Sequence, residues 1–396
     1  KKGIGHGAHV RMEGTCGFSR SFCTLCDSFD GIALYHLLES TKKSSLPTES
    51  DKEASSDDVA ANISAAWRAG GTGQGWEFAL TALQKWSNRY LERNAKVRWM
   101  LAPMQWLAAR TRQLSLKLDS DSDLRRSRER VVEVLRQIFT KLQRDKDRRE
   151  GALVISCELL RLYSNLGQAS QCAFVLTSVG TAYSGNTCDP VKLPKSLLVT
   201  LYFLWGKHLV MAGKVEEAEE KLSKALSMCP LKAAKNRRLI LVYLIPCRLR
   251  LGSYPSRGLL ERNGLQSLAG IVAATASGNV RQFNEELLEK EQKLIAYGTY
   301  MVMEKLRVVA YRNLVQRVFS FQSERLDAAE RSKQDMRPFE HALNWQETFS
   351  PKETMCLLSQ LIYVGAVRGY MSFSHQKLVF SKEMPFPPVR AWSTKT

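Results

Sequence analysis

From Trp76 onward the apolar residues recur every three or four positions, and this spacing holds as far as Gly365. Phe78, Ala79, Ala82, Leu83 and Trp86 form one stripe, and Val97, Met100, Leu101, Met104 and Leu107 a second. In a third, Leu124, Val131, Val134, Leu135, Ile138, Phe139 and Leu142 share a face while Arg and Glu fill the other. A chain patterned in this way folds as an array of amphipathic helices, each hiding its stripe against its neighbours. With 396 residues, 44% of them apolar, it can bury a substantial core in two or three packed units. The longest apolar run, Leu239 to Cys247, is too short to span a bilayer and contains Pro246.

One stretch suggests how the helices pair. "YFLWGKHLVMAGKVEEAEEKLSKALSMCP" places Tyr202, Trp205, Gly206, Leu209, Ala218, Leu222, Ala225 and Pro230 at the offsets of a tetratricopeptide-like helix pair. Gly206 and Ala218 are predicted to let the two helices approach, and Gly213 to turn between them. Such pairs need stacked neighbours, which residues 152–167, 197–229 and 236–252 supply, the last with a kink predicted at Pro246. Further helices are predicted over 265–277 and 279–296, with Asn279 as N-cap, and a long one over 300–321. After "MRPFEHALNWQE", Ser350, Pro351 and Glu353 open another helix with a capping box, stopped at Gly365. The period then changes to two. Met371 and Phe373 alternate with Tyr370, Ser372 and Ser374, and Leu378 and Phe380 alternate with Lys377 and Val379, with "SHQ" as a hairpin turn. Three helices followed by a hairpin is the order of a winged helix. Before Trp76, "SFCTLCDSFDGIALYHLLE" can be read as an amphipathic helix with Cys as a small apolar residue, and residues 42–75 read as a Ser- and Gly-rich linker or insertion.

The segments "KNRRLILVYLIPCRLRLG", "EKLRVVAYRNLVQRV" and "LIYVGAVRGYMSFSHQKLVFSKEMPFP" resemble the PCI family, shared by proteasome-lid, signalosome and translation-initiation subunits. "YRNL", "HQKLVFSK" and "PFPP" resemble its mRNA-export branch. The similarity runs from about Trp99 to Pro388, strongest after Leu197. It implies an all-α fold, a TPR-like helical-repeat superhelix followed by a C-terminal winged helix with a small β-hairpin. The expected divisions are an unmatched segment 1–75, a helical-repeat region 76–196, the PCI helices 197–298, the winged helix 299–385 and a tail 386–396. The resemblance further implies a non-enzymatic scaffold subunit of a nuclear, pore-associated mRNA-export complex, with a cytoplasmic pool also compatible. Its partners would be a GANP-type scaffold subunit and a small acidic DSS-type peptide, without a cofactor. The alternative is a scaffold of a signalosome-like or lid-like assembly that touches no nucleic acid.

The charge agrees with an anionic partner: 58 Lys and Arg stand against 39 Asp and Glu, a net +19. In the winged helix, Lys305, Arg307, Arg312, Lys352, Arg368, His375, Lys377 and Lys382 are candidate contacts to RNA or DNA phosphates, largely independent of sequence. Lys232, Lys235, Arg237 and Arg238 cluster where a helix begins and positive charge opposes the macrodipole, so a partner is one explanation and a solvated turn another. That partner could be an acidic peptide or nucleic acid. Met371 and Phe373 on the hairpin are candidate partner contacts, because alternation sends about half of its apolar residues outward. "RRSRER" and "RDKDRRE" mix signs and read as solvated faces. "AGGTGQG" at 69–75 follows no strand and lacks the Lys of a phosphate-binding loop. Cys16, Cys23 and Cys26 with His6 and His9 contain a single C-x-x-C and no second knuckle, so no metal is assigned to them. Nine scattered cysteines favour a reducing compartment. The opening "KKGIGHG", without Met, suggests a longer natural start.

Overall fold

A computed structural model describes residues 62–63, 73–92, 97–121, 126–145, 148–184, 194–327 and 330–392. The N-terminal Cys and His residues, most of the predicted linker, Leu124 and Arg125 lie outside the described residues. The chain divides into two units at Leu197–Leu198. No helix among the described residues is long and apolar enough to cross a membrane.

In the first unit the apolar stripes become helices α1 (Gly73–Glu92), α2 (Leu101–Asp121), α3 (Arg126–Arg144), α4 (Arg149–Leu166) and α5 (Ala169–Ser184). Each packs on its successor in sequence. The third stripe is buried from Val131 to Leu142 as its spacing predicts, whereas Phe78 of the first is partly exposed. Helix α4 is central and buried continuously from Gly151 to Leu160. Gly151 is required there, because a Cβ would meet the Tyr90 ring at 2.9 Å. Two acids of this unit are structural. Glu158 is buried and accepts from Arg112 at 2.6 Å and from Arg161. Asp119 accepts from the backbone N–H groups of Ser127 and Arg128 at the start of α3, and from the Arg128 side chain at 2.7 Å. Arg128 in "RRSRER" therefore anchors a helix and is not simply solvated, and Arg130 lies over the Trp76 ring at 5.6 Å.

The second unit takes in α6 (Lys195–Met211) from Leu198 onward, followed by α7 (Val215–Met228), the predicted pair. A Cβ on Gly206 would stand 2.5 Å from Leu222, and Ala218 is fully buried, so small residues set this close approach. Gly213 turns between the helices at φ 76°. Helix α8 (Ala234–Arg250) carries Pro246 in its interior and buries Ile240 to Cys247. There follow α9 (Arg257–Arg262), α10 (Ala269–Ser277) and α11 (Val280–Glu289), the last capped by Asn279, which accepts from the Gln282 N–H at 3.1 Å. The single helix predicted over 279–296 is instead two, α11 and α12 (Glu291–Tyr297), broken at Lys290. The long helix predicted from Tyr300 is likewise α13 (Tyr300–Glu304) and α14 (Arg307–Ser323). At the junction the Leu306 N–H pairs three residues back, with Met303 at 3.0 Å, a tightening that directs Leu306 and Val309 into the core.

The C-terminal part runs α14, β1 (Lys333–Asp335), α15 (Arg337–Gln346), α16 (Pro351–Tyr363), β2 (Gly369–Ser372) and β3 (Lys377–Phe380). The strands form an antiparallel sheet in the order β1-β3-β2. This is winged-helix order, with a third strand where a two-stranded hairpin was predicted. The capping box of Ser350 and Glu353 is formed, and the hairpin turn takes in Phe373. The expected tail packs back as a strap through Trp392. Phe386 stacks on Phe319 and Phe380, the Trp392 Nε1–H donates to the Pro387 carbonyl at 3.3 Å, and Arg250 covers the Trp392 ring.

Candidate nucleic-acid interface

The sheet register sorts the hairpin into two faces. Gln334, Leu378 and Met371 lie in one cross-strand row facing inward, where Leu378 is buried and Met371 half-buried against the core. Phe380 is buried too, between Phe319 and Phe339. The rows Lys333–Val379–Tyr370 and Asp335–Lys377–Ser372 face outward. Phe373 leaves the strand and stands exposed at the turn, beside Gln376 at φ 51°. Of the two candidate partner contacts on the hairpin, Phe373 is therefore accessible and Met371 mostly spoken for.

Among the candidate phosphate contacts, Arg368, His375, Lys377 and Lys382 are exposed on or beside the hairpin. Lys352 is exposed in the first turn of α16, which packs against β2. Arg368, His375, Lys377 and Lys382 thus share the hairpin region, and Lys352 lies at the far end of α16, the helix that leads into it. Lys305 is exposed but caps α13, which packs on the repeat helix α8, so it stands apart from the hairpin. Arg307 is half-buried near Tyr311, whose phenol is pushed up by burial and by its hydrogen bond to Glu347.

Arg312 is a correction. Its guanidinium donates to the carbonyls of Phe386 at 3.1 Å and Pro387 at 3.4 Å, and to Asn313 and Gln316, and lies over the Phe386 ring. A cation so engaged holds the strap and is not free for a phosphate. Its neighbours in "YRNL" act similarly: Tyr311 reaches Glu347, and Asn313 donates to Tyr254 and to the Thr275 carbonyl at the end of α10.

The basic cluster on α8 also divides. Lys232, Lys235 and Arg238 are exposed, whereas Arg237 donates to the Leu226 and Cys229 carbonyls at the end of α7. The charge that seemed misplaced at one helix N-terminus stabilises the C-terminus of another. Arg238 borders a small depression with Lys290 and Lys293, two cations that sequence spacing alone does not connect to it. Lys290 is neutralised by Glu286 and Glu289.

Burial pushes the Cys157 and Cys247 thiols up to about 12, which removes them as nucleophiles. No three His, Cys, Asp or Glu residues among the described ones gather as metal ligands.

An array of helices closed by a small three-stranded sheet is the architecture of a PCI-type fold. No family model matches the chain. It is 30% identical over 316 residues to Enhanced ethylene response protein 5 of Arabidopsis thaliana, covering 78% of this chain and 76% of that protein. It is 33% identical over 244 residues to the PCI domain-containing protein 2 homolog of Drosophila melanogaster, covering 61% of this chain and 59% of that one. A 28% identity over 285 residues relates it to the Protein CSN12 homolog of Neurospora crassa, 68% of this chain and 63% of that protein. The chain belongs to the PCI domain family. Its match spans less than two thirds of the Drosophila and Neurospora relatives.

Proposed function

We propose that this chain is a non-enzymatic PCI scaffold subunit of a transcription-coupled mRNA-export complex, acting in the nucleus at the pore. The observation that carries the reading is that Arg368, His375, Lys377 and Lys382 are all exposed on or beside the hairpin, with Lys352 exposed on the helix that leads into it. Exposed cations on a recognition unit suit a polyanion, and the net charge of +19 adds a long-range field of the same sign. A GANP-type scaffold subunit and a small acidic DSS-type peptide are its proposed partners, the acidic peptide meeting Lys232, Lys235, Arg238 and Lys293. RNA or DNA is bound through phosphates, largely without sequence preference.

Similarity to a protein named CSN12 homolog keeps a second reading, a signalosome-like scaffold without nucleic-acid contact. Affinity purification of the tagged chain, followed by identification of its companions and titration of the recovered complex with RNA at physiological salt, separates the two. Export-type partners and measurable RNA binding support the first. Signalosome subunits without RNA binding support the second.

A further inference from the structure

The outer face of the β1-β3-β2 sheet is open and carries an unexplained aromatic ring. Tyr370 is 62% exposed although it sits inside a paired strand. Its cross-strand row runs through Val379 to Lys333 on the far strand, a span of about 10 Å. In the adjacent row Lys377 lies cross-strand from Asp335, whereas the row of Lys333 holds only Val379 and Tyr370 and no acid. Beyond it, the hairpin tip offers Phe373, 58% exposed, and His375.

Helix α16, which would be the recognition helix of a winged helix, argues against a duplex. Its exposed positions include Lys352, Cys356, Ser359, Gln360 and Tyr363, with one Lys at the first turn and no Arg anywhere in α16. A helix seated in a major groove is flanked by phosphates on both strands, and affinity there depends on neutralising them. This helix is poorly equipped for that role. Exposed rings interleaved with a few cations are instead the chemistry of single-strand binding, in which bases stack on aromatic faces and the backbone follows positive charge.

We propose that this sheet face is a stacking site for single-stranded nucleic acid, with an unpaired base on Tyr370 and a phosphate held by Lys333. It rests on the nucleic-acid reading above and deepens it, because it names the strandedness of the ligand and two residues that sequence reasoning passed over.

The test titrates the 396-residue chain with a fluorescent oligouridylate of about a dozen nucleotides, and with an RNA duplex of equal length, over a series of salt concentrations. The single strand binds about tenfold or more tightly than the duplex. Tyr370→Leu weakens the single strand by roughly 5- to 100-fold without changing the salt slope, while Tyr370→Phe binds like the parent. Tyr370→Thr, a good strand residue without a ring, gives the same loss if the Leu variant aggregates. Lys333→Ala lowers the salt slope by about one phosphate contact. Parent-like single-strand binding by Tyr370→Leu or Tyr370→Thr overturns the inference, as does a duplex that binds as well as the single strand, and in both cases the nucleic-acid reading survives. A parent chain that binds neither probe at any salt overturns both. If loss of the ring releases a copurifying protein and leaves RNA binding intact, the face belongs to a protein partner and the inference fails.

Discussion

At the scale of single residues, the cations of this chain look alike in sequence and separate only by what they touch. Arg312 has the type and position of a phosphate contact, yet its partners are carbonyls 74 and 75 residues further along the chain. Arg237 seems ill placed until the end of α7 is brought beside it. Helical spacing reports which face a residue occupies, not which distant carbonyl meets it, so such engagements are invisible without the fold. Lys352, Arg368 and Lys377, by contrast, are exposed, which the polar side of a helix or hairpin pattern already suggests. Arg312→Leu is therefore expected to destabilise the protein by about 1–3 kcal/mol, since it strips two partly buried carbonyls of a charged donor. Urea unfolding measures the loss. The same variant should leave the salt dependence of RNA binding unchanged, and a reduced slope would return Arg312 to the phosphate contacts.

At the scale of elements, legibility follows how much of the signal is apolar. The pair α6 and α7 could be read because its contacts are made by Gly206, Ala218 and Leu222, whose sizes are a local property. Ala218→Trp forces a large ring into a fully buried position and should cost roughly 1–3 kcal/mol or more, read as a lowered thermal midpoint. An unchanged midpoint would contradict the packing of the pair. Strand β1 could not be read. It is Lys-Gln-Asp, and the residue it buries is Gln334, held by the Phe319 and Arg331 carbonyls and the Ser323 hydroxyl. A three-residue strand that buries an amide carries no alternating apolar pattern. The break between α13 and α14 was hidden for the opposite reason, since both sides keep helical spacing and only the hydrogen bond at Leu306 changes.

At the scale of the whole molecule, the C-terminal strap ties the winged helix to the repeat helices of its own unit. Phe386 packs on the hairpin strand, Arg312 of α14 holds the backbone, and Val389 and Trp392 reach Gly252 and Arg250 at the end of α8. Its sequence, "PFPPVRAW", looked like a tail because prolines interrupt any period. Truncation after Met384 removes Phe386 and Trp392 and should loosen the winged helix, seen as faster proteolysis within residues 333–380. Cleavage at the parent rate would show that the strap is not a tie. The central claim is that the wing meets nucleic acid, and its most direct test is the salt dependence of RNA binding by the purified complex carrying Arg368→Ala and Lys377→Ala together. Both side chains are exposed, so fold and assembly should survive at a cost under about 0.5 kcal/mol each. Leu378→Asp is the control, since a charge at that buried position should abolish assembly and binding alike. The account predicts weaker binding and a slope reduced by about one to two phosphate contacts, with the complex intact. A complex that falls apart while the remaining RNA affinity and its slope are unchanged would contradict it and make the hairpin a protein-docking edge.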